Sequence, residues 1–155
     1  MEKMNELVTE TFETTDADVR DGMDMSLCSI DMKKKTLQYC GANNPVWIVR
    51  NGAKEVDELR PNKQPIGRYE FRKAFDNHET QLKKGDCVYL FSDGYADQFG
   101  GPKGKKFKYK TLKDLLVLVH EKNMTDQHKE LDNTFENWKG ELVQIDDVCV
   151  IGLRV

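Results

Sequence analysis

The chain has 155 residues, 38% hydrophobic and 33% charged, with a formal net charge of −3. That length suits one domain burying roughly 70% of its unfolded surface, and the acidic balance argues against a general polyanion binder. No apolar run approaches the ~20 residues of a membrane-spanning helix. Acids interrupt every apolar stretch of "MEKMNELVTETFETTDADVR", so a signal-peptide core is lacking as well.

The first dozen residues have Met4, Leu7, Val8 and Phe12 near helical spacing, which reads as the end of a helix. The polar stretch "ETTDADVRDG" reads as a loop, followed by strands over "MDMSLCSIDM", "TLQYCGA" and "PVWIVR". "DMKKKT" connects the first two as a hairpin, and Asn51-Gly52 is a tight-turn signal leading into "AKEVDEL". "PNKQPIG" is a loop stiffened by Pro61 and Pro65, "FRKAFDNHETQL" a further strand, Lys84-Gly85-Asp86 a turn and "CVYLF" a buried strand.

Periodicity then changes. Leu112, Leu115, Leu116 and Val119 fall at i, i+3, i+4 and i+7, an amphipathic helix over "TLKDLLVLVHEK". Thr111 with Asp114 resembles a capping box. A second helix is expected from Thr125 to Lys139, burying Leu131, Phe135 and Trp138, with Gly140 as its stop. "DDVCVIGLRV" closes the chain as a strand. The pattern predicts an α+β fold with substantial antiparallel sheet. Cys28, Cys40, Cys87 and Cys149 form no CxxC pair and sit in expected strands, so they read as reduced packing cysteines of a cytosolic protein.

Two acidic sites stand at strand ends. Asp93 follows "CVYLFS", while Asp146 and Asp147 precede "VCVIGLRV". If those strands are antiparallel neighbours, carboxylates far apart in sequence meet at one sheet edge. Such an oxygen cluster suits Mg²⁺ or Mn²⁺. Ordinary turn and strand-start chemistry also uses Asp at these positions.

"YLFSDGYADQFGG" and "QIDDVCVIGLRV", with "DGMDMSLCSID", "LQYCGANNPVWIVRNG" and "NKQPIG" in that order, resemble the PPM-type metal-dependent protein serine/threonine phosphatases. The resemblance is to their SpoIIE-like bacterial branch and covers about residues 20 to 155. It implies a β-sandwich flanked by helices, two Mn²⁺ or Mg²⁺ ions in the complete domain, and a metal-bound water attacking phosphoserine or phosphothreonine. Matched residue by residue, Asp93 and Asp146 are metal ligands and so catalytic through that water. Gly94, Asp97 and Asp147 are supporting residues beside them. The implied substrate is a phosphorylated regulatory protein such as an anti-sigma-factor antagonist, in the cytoplasm.

The family's upstream Asp motif, usually followed shortly by Gly-His-Gly, is missing, and its bridging role is not transferred to Asp21 or Asp24. The expectation is therefore that residues 1–155 are one SpoIIE-like phosphatase domain, N-terminally truncated and without its first metal motif. Such a chain would have little activity alone and would hide uncovered apolar surface by self-association. The alternative is a non-catalytic, pseudophosphatase-like protein-binding module. In "GGPKGKKFKYK", lysines alternate with Phe107 and Tyr109. A solvated loop is one reading, attraction of a phosphoprotein by Lys105 and Lys106 a second, and single-stranded nucleic acid a third. The net acidic chain argues against nucleic acid.

Overall fold

The computed structural model describes residues 1–13 and 22–155. The loop expected over "ETTDADVRDG" lies almost wholly outside the described residues, as does the side chain of Phe12. In chain order the elements are α1 (Glu2–Glu13), β1 (Gly22–Met23), β2 (Met25–Asp31), β3 (Thr36–Ala42), β4 (Val46–Val49), β5 (Val56–Leu59), β6 (Ile66–Gly67) and β7 (His78–Gln81). They continue as β8 (Cys87–Phe91), α2 (Gly94–Asp97), β9 (Phe99–Gly100), β10 (Lys105–Lys106), α3 (Tyr109–Val119), α4 (Met124–Lys139) and β11 (Val150–Arg154). The pairs β1–β6, β2–β3, β3–β7, β4–β8, β8–β11 and β9–β10 are antiparallel, as the α+β reading expects. No helix among the described residues is long and apolar enough to cross a membrane.

One compact unit comprises Met1–Val46 and Glu58–Leu82. Its sheet has the order β2-β3-β7, in register from Met25↔Ala42 to Asp31↔Thr36. Asp31 makes the hairpin: its carboxylate accepts from the Lys33 and Lys34 amides, both at 2.9 Å, a local bond that closes turns. Asn44 is held by its carbonyl, which accepts from the Tyr39 hydroxyl at 2.6 Å and from Ser26 Oγ at 2.8 Å. The long strand expected over "FRKAFDNHETQL" shrinks to His78–Gln81. Upstream, the backbone bonds to side chains instead of a strand: Lys73 N–H to Gln64 Oε1, Phe75 N–H to Glu2 Oε1 and Asp76 N–H to Asn62 Oδ1, at 2.7–2.8 Å.

The other unit comprises Trp47–Asp57 and Lys83–Val155, and here the sheet order is β11-β8-β4-β5. Alternation along β8 sends Cys87, Tyr89 and Phe91 into one core with Trp47, Val49, Leu112, Leu116, Leu131 and Phe135. The buried tyrosines keep their hydroxyls satisfied, Tyr89 donating to Gln127 Oε1 and Tyr95 to the Leu131 carbonyl, each at 2.7 Å. α4 starts at Met124 on an Asn123 cap, whose side chain accepts from the Asp126 amide at 2.9 Å. Trp138 is only half-buried, and its indole N–H donates to the Gln98 carbonyl at 3.1 Å. Cys149 departs from the packing expectation too: it is exposed and free.

α3 begins at Tyr109, two residues before the expected capping box. Asp114 instead pairs with Lys110 at 3.0 Å on the exposed face. The helix starts early because Lys108 turns the chain with φ 77° and ψ 146°, while its N–H bonds the Ala96 carbonyl at 2.7 Å. That backbone region belongs to glycine, and an L-residue there stores about 1–3 kcal/mol. Lys108→Gly is therefore expected to stabilise the chain by about 1 kcal/mol after the added entropy of glycine, read as a higher thermal midpoint.

Candidate active site at the β8–β11 rim

β11 runs antiparallel to β8 from Val150↔Phe91 to Arg154↔Cys87. The ladder continues one step beyond both strands, where the Ser92 N–H donates to the Cys149 carbonyl at 2.9 Å. Ser92 then adds its side chain. Its hydroxyl donates to the Asp147 carbonyl at 2.7 Å and accepts from the Cys149 N–H at 2.9 Å. One residue thus ties the exit of β8 to the chain just ahead of β11.

Asp93 comes next, at the N-cap of the four-residue helix α2, yet its side chain makes no capping bond. Its carboxylate is exposed rather than spent on the helix. Gly94 is buried, and a Cβ there would press into the Asp147 carbonyl and the Val148 side chain. Gly94→Ala is expected to cost about 1–3 kcal/mol, since backbone must move to admit the methyl; thermal unfolding measures it.

Across the gap Asp146 and Asp147 are both exposed. Asp146 Oδ1 accepts from the Asp147 N–H at 2.7 Å, and its carbonyl accepts from Gln144 Nε2 at 2.8 Å. The segments carrying Asp93, Gly94, Asp146 and Asp147 therefore meet at one end of this sheet. Asp97 and Lys106 form their own pair, Nζ to Oδ2 at 2.8 Å. Lys106 also lies over the Phe99 ring at 5.9 Å. Lys105 is exposed on β10.

Two residues of this rim escaped the sequence reading. Ser92 is one; the signal was a hydroxyl directly before an acid at a strand exit. Tyr109 is the other, its ring set against Trp47 at 6.0 Å and Phe91 at 6.2 Å. Burial pushes its phenol pKa up, and the charges of Asp93 and Asp97 add to the shift.

The exposed carboxylates offer the oxygen donors that hard divalent cations take. Among the described residues, however, no group of three or more His, Cys, Asp or Glu side chains is gathered to hold a metal. The rim fits Mn²⁺ or Mg²⁺ in the kind of its ligands and falls short in their number. Asp24 is engaged elsewhere, accepting from Asn43 Nδ2 at 2.8 Å, while Asp21 lies outside the described residues. The histidines are scattered, His78 stacked on Tyr39 and His120 buried against the Val117 carbonyl.

The sequence matches the Stage II sporulation protein E (SpoIIE) family over residues 1–155. No curated protein matches it. Among solved structures, the SiaA-PP2C domain of Pseudomonas aeruginosa superposes with a TM-score of 0.82 at 25% identity, over 97% of this chain and 56% of that one. The phosphatase domain of SpoIIE from Bacillus subtilis, in a Mn-presoaked form, gives 0.63 at 21% identity, over 100% of this chain and 66% of that one. The serine/threonine phosphatase PstP/Ppp of Mycobacterium tuberculosis gives 0.63 at 12% identity, over 96% and 66%. The chain thus spans between about half and two thirds of these three solved chains. On this match and this fold, the chain belongs to the SpoIIE family of PP2C-type (PPM) protein phosphatase domains.

Proposed function

We propose that the chain forms part of a metal-dependent serine/threonine phosphatase, in which Asp93 and Asp146 hold Mn²⁺ or Mg²⁺. The observation that carries this reading is the Ser92 clasp, which fastens the segments of both acids together. Bound divalent cations would acidify a water and offset charge on the transferring phosphoryl group. The chain's own residues supply the setting. Gly94 lets the α2 backbone approach Asp147, and Asp147 donates its N–H to Asp146. The Lys106–Asp97 pair fastens β10 to α2.

The substrate in this reading is a phosphoserine or phosphothreonine on a regulatory protein, such as an anti-sigma-factor antagonist, in the cytoplasm. Lys105 and its neighbours would attract the acidic phosphoprotein electrostatically, with Lys106 already shared with Asp97. Turnover by the isolated chain is expected to be weak, because the rim needs further carboxylates for two ions.

That shortage also favours a second reading, a non-catalytic docking module built on the same fold. Calorimetric titration of Mn²⁺, paired with release of phosphate from a phosphoserine peptide, separates the two. Mn²⁺ binding with metal-dependent release supports the enzyme. Binding without release, even at high protein concentration, supports the docking module, and no binding at all removes the metal assignment of Asp93 and Asp146.

A further inference from the structure

Gln98 closes α2 and is 0% exposed. Its backbone is fully engaged: the N–H donates to the Gly94 carbonyl at 3.1 Å, and the carbonyl accepts from the Phe107 N–H at 2.9 Å and the Trp138 indole at 3.1 Å. The side chain serves a separate purpose. Its Nε2 donates to the Phe99 and Val143 carbonyls, each at 3.0 Å, and its Oε1 accepts from the Ile145 N–H at 3.4 Å. A buried amide needs partners for both its donors and its acceptor. Two of the three found here lie on the backbone just ahead of Asp146.

Residues 141–147 form neither helix nor strand, so no ladder of sheet bonds sets the course of the chain through Asp146. By bonding the C=O of residue 143 and the N–H of residue 145, the Gln98 amide engages the backbone around Gln144 as a peptide of a parallel strand would. Ser92 repeats the pattern further on, its hydroxyl bonding the Asp147 carbonyl at 2.7 Å and the Cys149 N–H at 2.9 Å. Asp146 falls midway between the two grips. Both gripping residues belong to the short segment that carries Asp93, Ser92 directly before it and Gln98 at the far end of α2.

We propose that Gln98 is a positioning residue for Asp146, holding the backbone of that acid at a fixed offset from Asp93. The inference rests on the reading of these two acids as metal ligands. A single grip leaves the chain free to pivot about it, and a second grip on the other side of Asp146 removes the pivot. The Cα of Asp146 lies about 3.8 Å past that of Ile145, so little slack separates the acid from the Gln98 amide. In Gln98→Met the backbone bonds of residue 98 persist and the side-chain volume is nearly kept. Val143 and Ile145 lose their partner and, lying on exposed chain, turn to water. The loss therefore shows as a loosened acid loop.

Amide hydrogen exchange of the metal-free 155-residue chain tests this, with calorimetric titration of Mn²⁺ as a second reading. In Gln98→Met, exchange is expected to speed about 10-fold at Ile145 and at Asp147, whose N–H bonds Asp146 Oδ1. The Ser92 and Cys149 amides should keep their protection. Mn²⁺ affinity should fall about 10-fold or more, the scale of losing a partner of a metal ligand. Gln127→Met is the control. It removes another buried amide, bonded to the Tyr89 hydroxyl and to the His120 and Lys122 carbonyls, and should spare both readings. Gln98→Asn, one methylene short of its partners, is the milder variant, and circular dichroism checks the folding of each. An Asp147 amide or an Mn²⁺ affinity indifferent to residue 98 would overturn the proposal. So would equal loosening at Ser92 and Cys149, the same effects in Gln127→Met, or failure of Gln98→Asn to fold. If the native chain takes up no Mn²⁺, the metal assignment fails by itself and exchange alone decides the role of Gln98.

Discussion

Asp86→Ala is expected to destabilise the chain by about 3 kcal/mol, the scale of removing a buried, multiply bonded carboxylate. For a chain of this size that is a fall of roughly 6–12 °C in thermal midpoint. Asp86 is 1% exposed. Its two oxygens accept from the Asn51 and Lys83 amides at 3.0 and 2.9 Å and from the Arg50 guanidinium at 2.9 Å. The same residue's carbonyl holds the Val155 N–H, so one acid joins the turn after β4, the turn before β8 and the end of β11. Arg50 keeps a second partner in Asp57 at 2.8 Å, which limits the penalty of stranding its charge. Burial works to raise the Asp86 pKa, but the two amides and the guanidinium outweigh it and hold the pKa below the ordinary 3.8. A depressed carboxylate stabilises the fold fully above its unfolded pKa and loses that contribution as pH falls through the folded value. Stability should therefore drop below about pH 4, and Asp86→Asn should flatten that part of the acid profile. Chemical denaturation at a series of pH values reads both. An unchanged acid slope in the variant would remove the assignment.

Asp93→Asn is expected to weaken Mn²⁺ binding by about 100-fold or more, since loss of even an outer partner of a metal ligand costs 10–100-fold. The exposed carboxylate takes no part in capping α2, so the isosteric amide should leave the unfolding midpoint of the metal-free protein within about 1 °C, as for other surface substitutions. That split between binding and stability is the useful readout. A structural Asp93 would move the midpoint and spare the affinity, whereas a ligand does the reverse. Asp146→Asn should behave alike for affinity. Its Oδ1 also accepts from the Asp147 amide, a bond the asparagine oxygen can keep.

How much of this was legible beforehand follows from which forces are local. The amphipathic spacing of Leu112, Leu116 and Val119 and the apolar run before Ser92 announced α3 and β8, because burial periodicity is written in consecutive residues. The antiparallel meeting of β8 and β11 enters the sequence reading only as a condition for the acids to meet, and the ladder from Val150↔Phe91 to Arg154↔Cys87 supplies it. The start of α3 was misread because Thr111 and Asp114 have the composition of a cap, while the real boundary is set by the left-handed turn at Lys108 and its bond to Ala96. The segment before His78 was misread because its backbone partners, Gln64, Glu2 and Asn62, are distant side chains. Ser92 was passed over for a related reason. Its three bonds go to residues 55 and 57 positions away, and nothing beside it in sequence reveals them.

The clasp at Ser92 separates two properties of the molecule. Distance between the paired acids is governed where the chain returns, not by the route it takes in between. The excursion from Gly94 to Ile145 carries three helices and a lysine-bearing hairpin, and the exposed hairpin can change charge as long as the ends of the excursion come back to the same hydroxyl. The charge of the hairpin can drift while the acidic rim stays put.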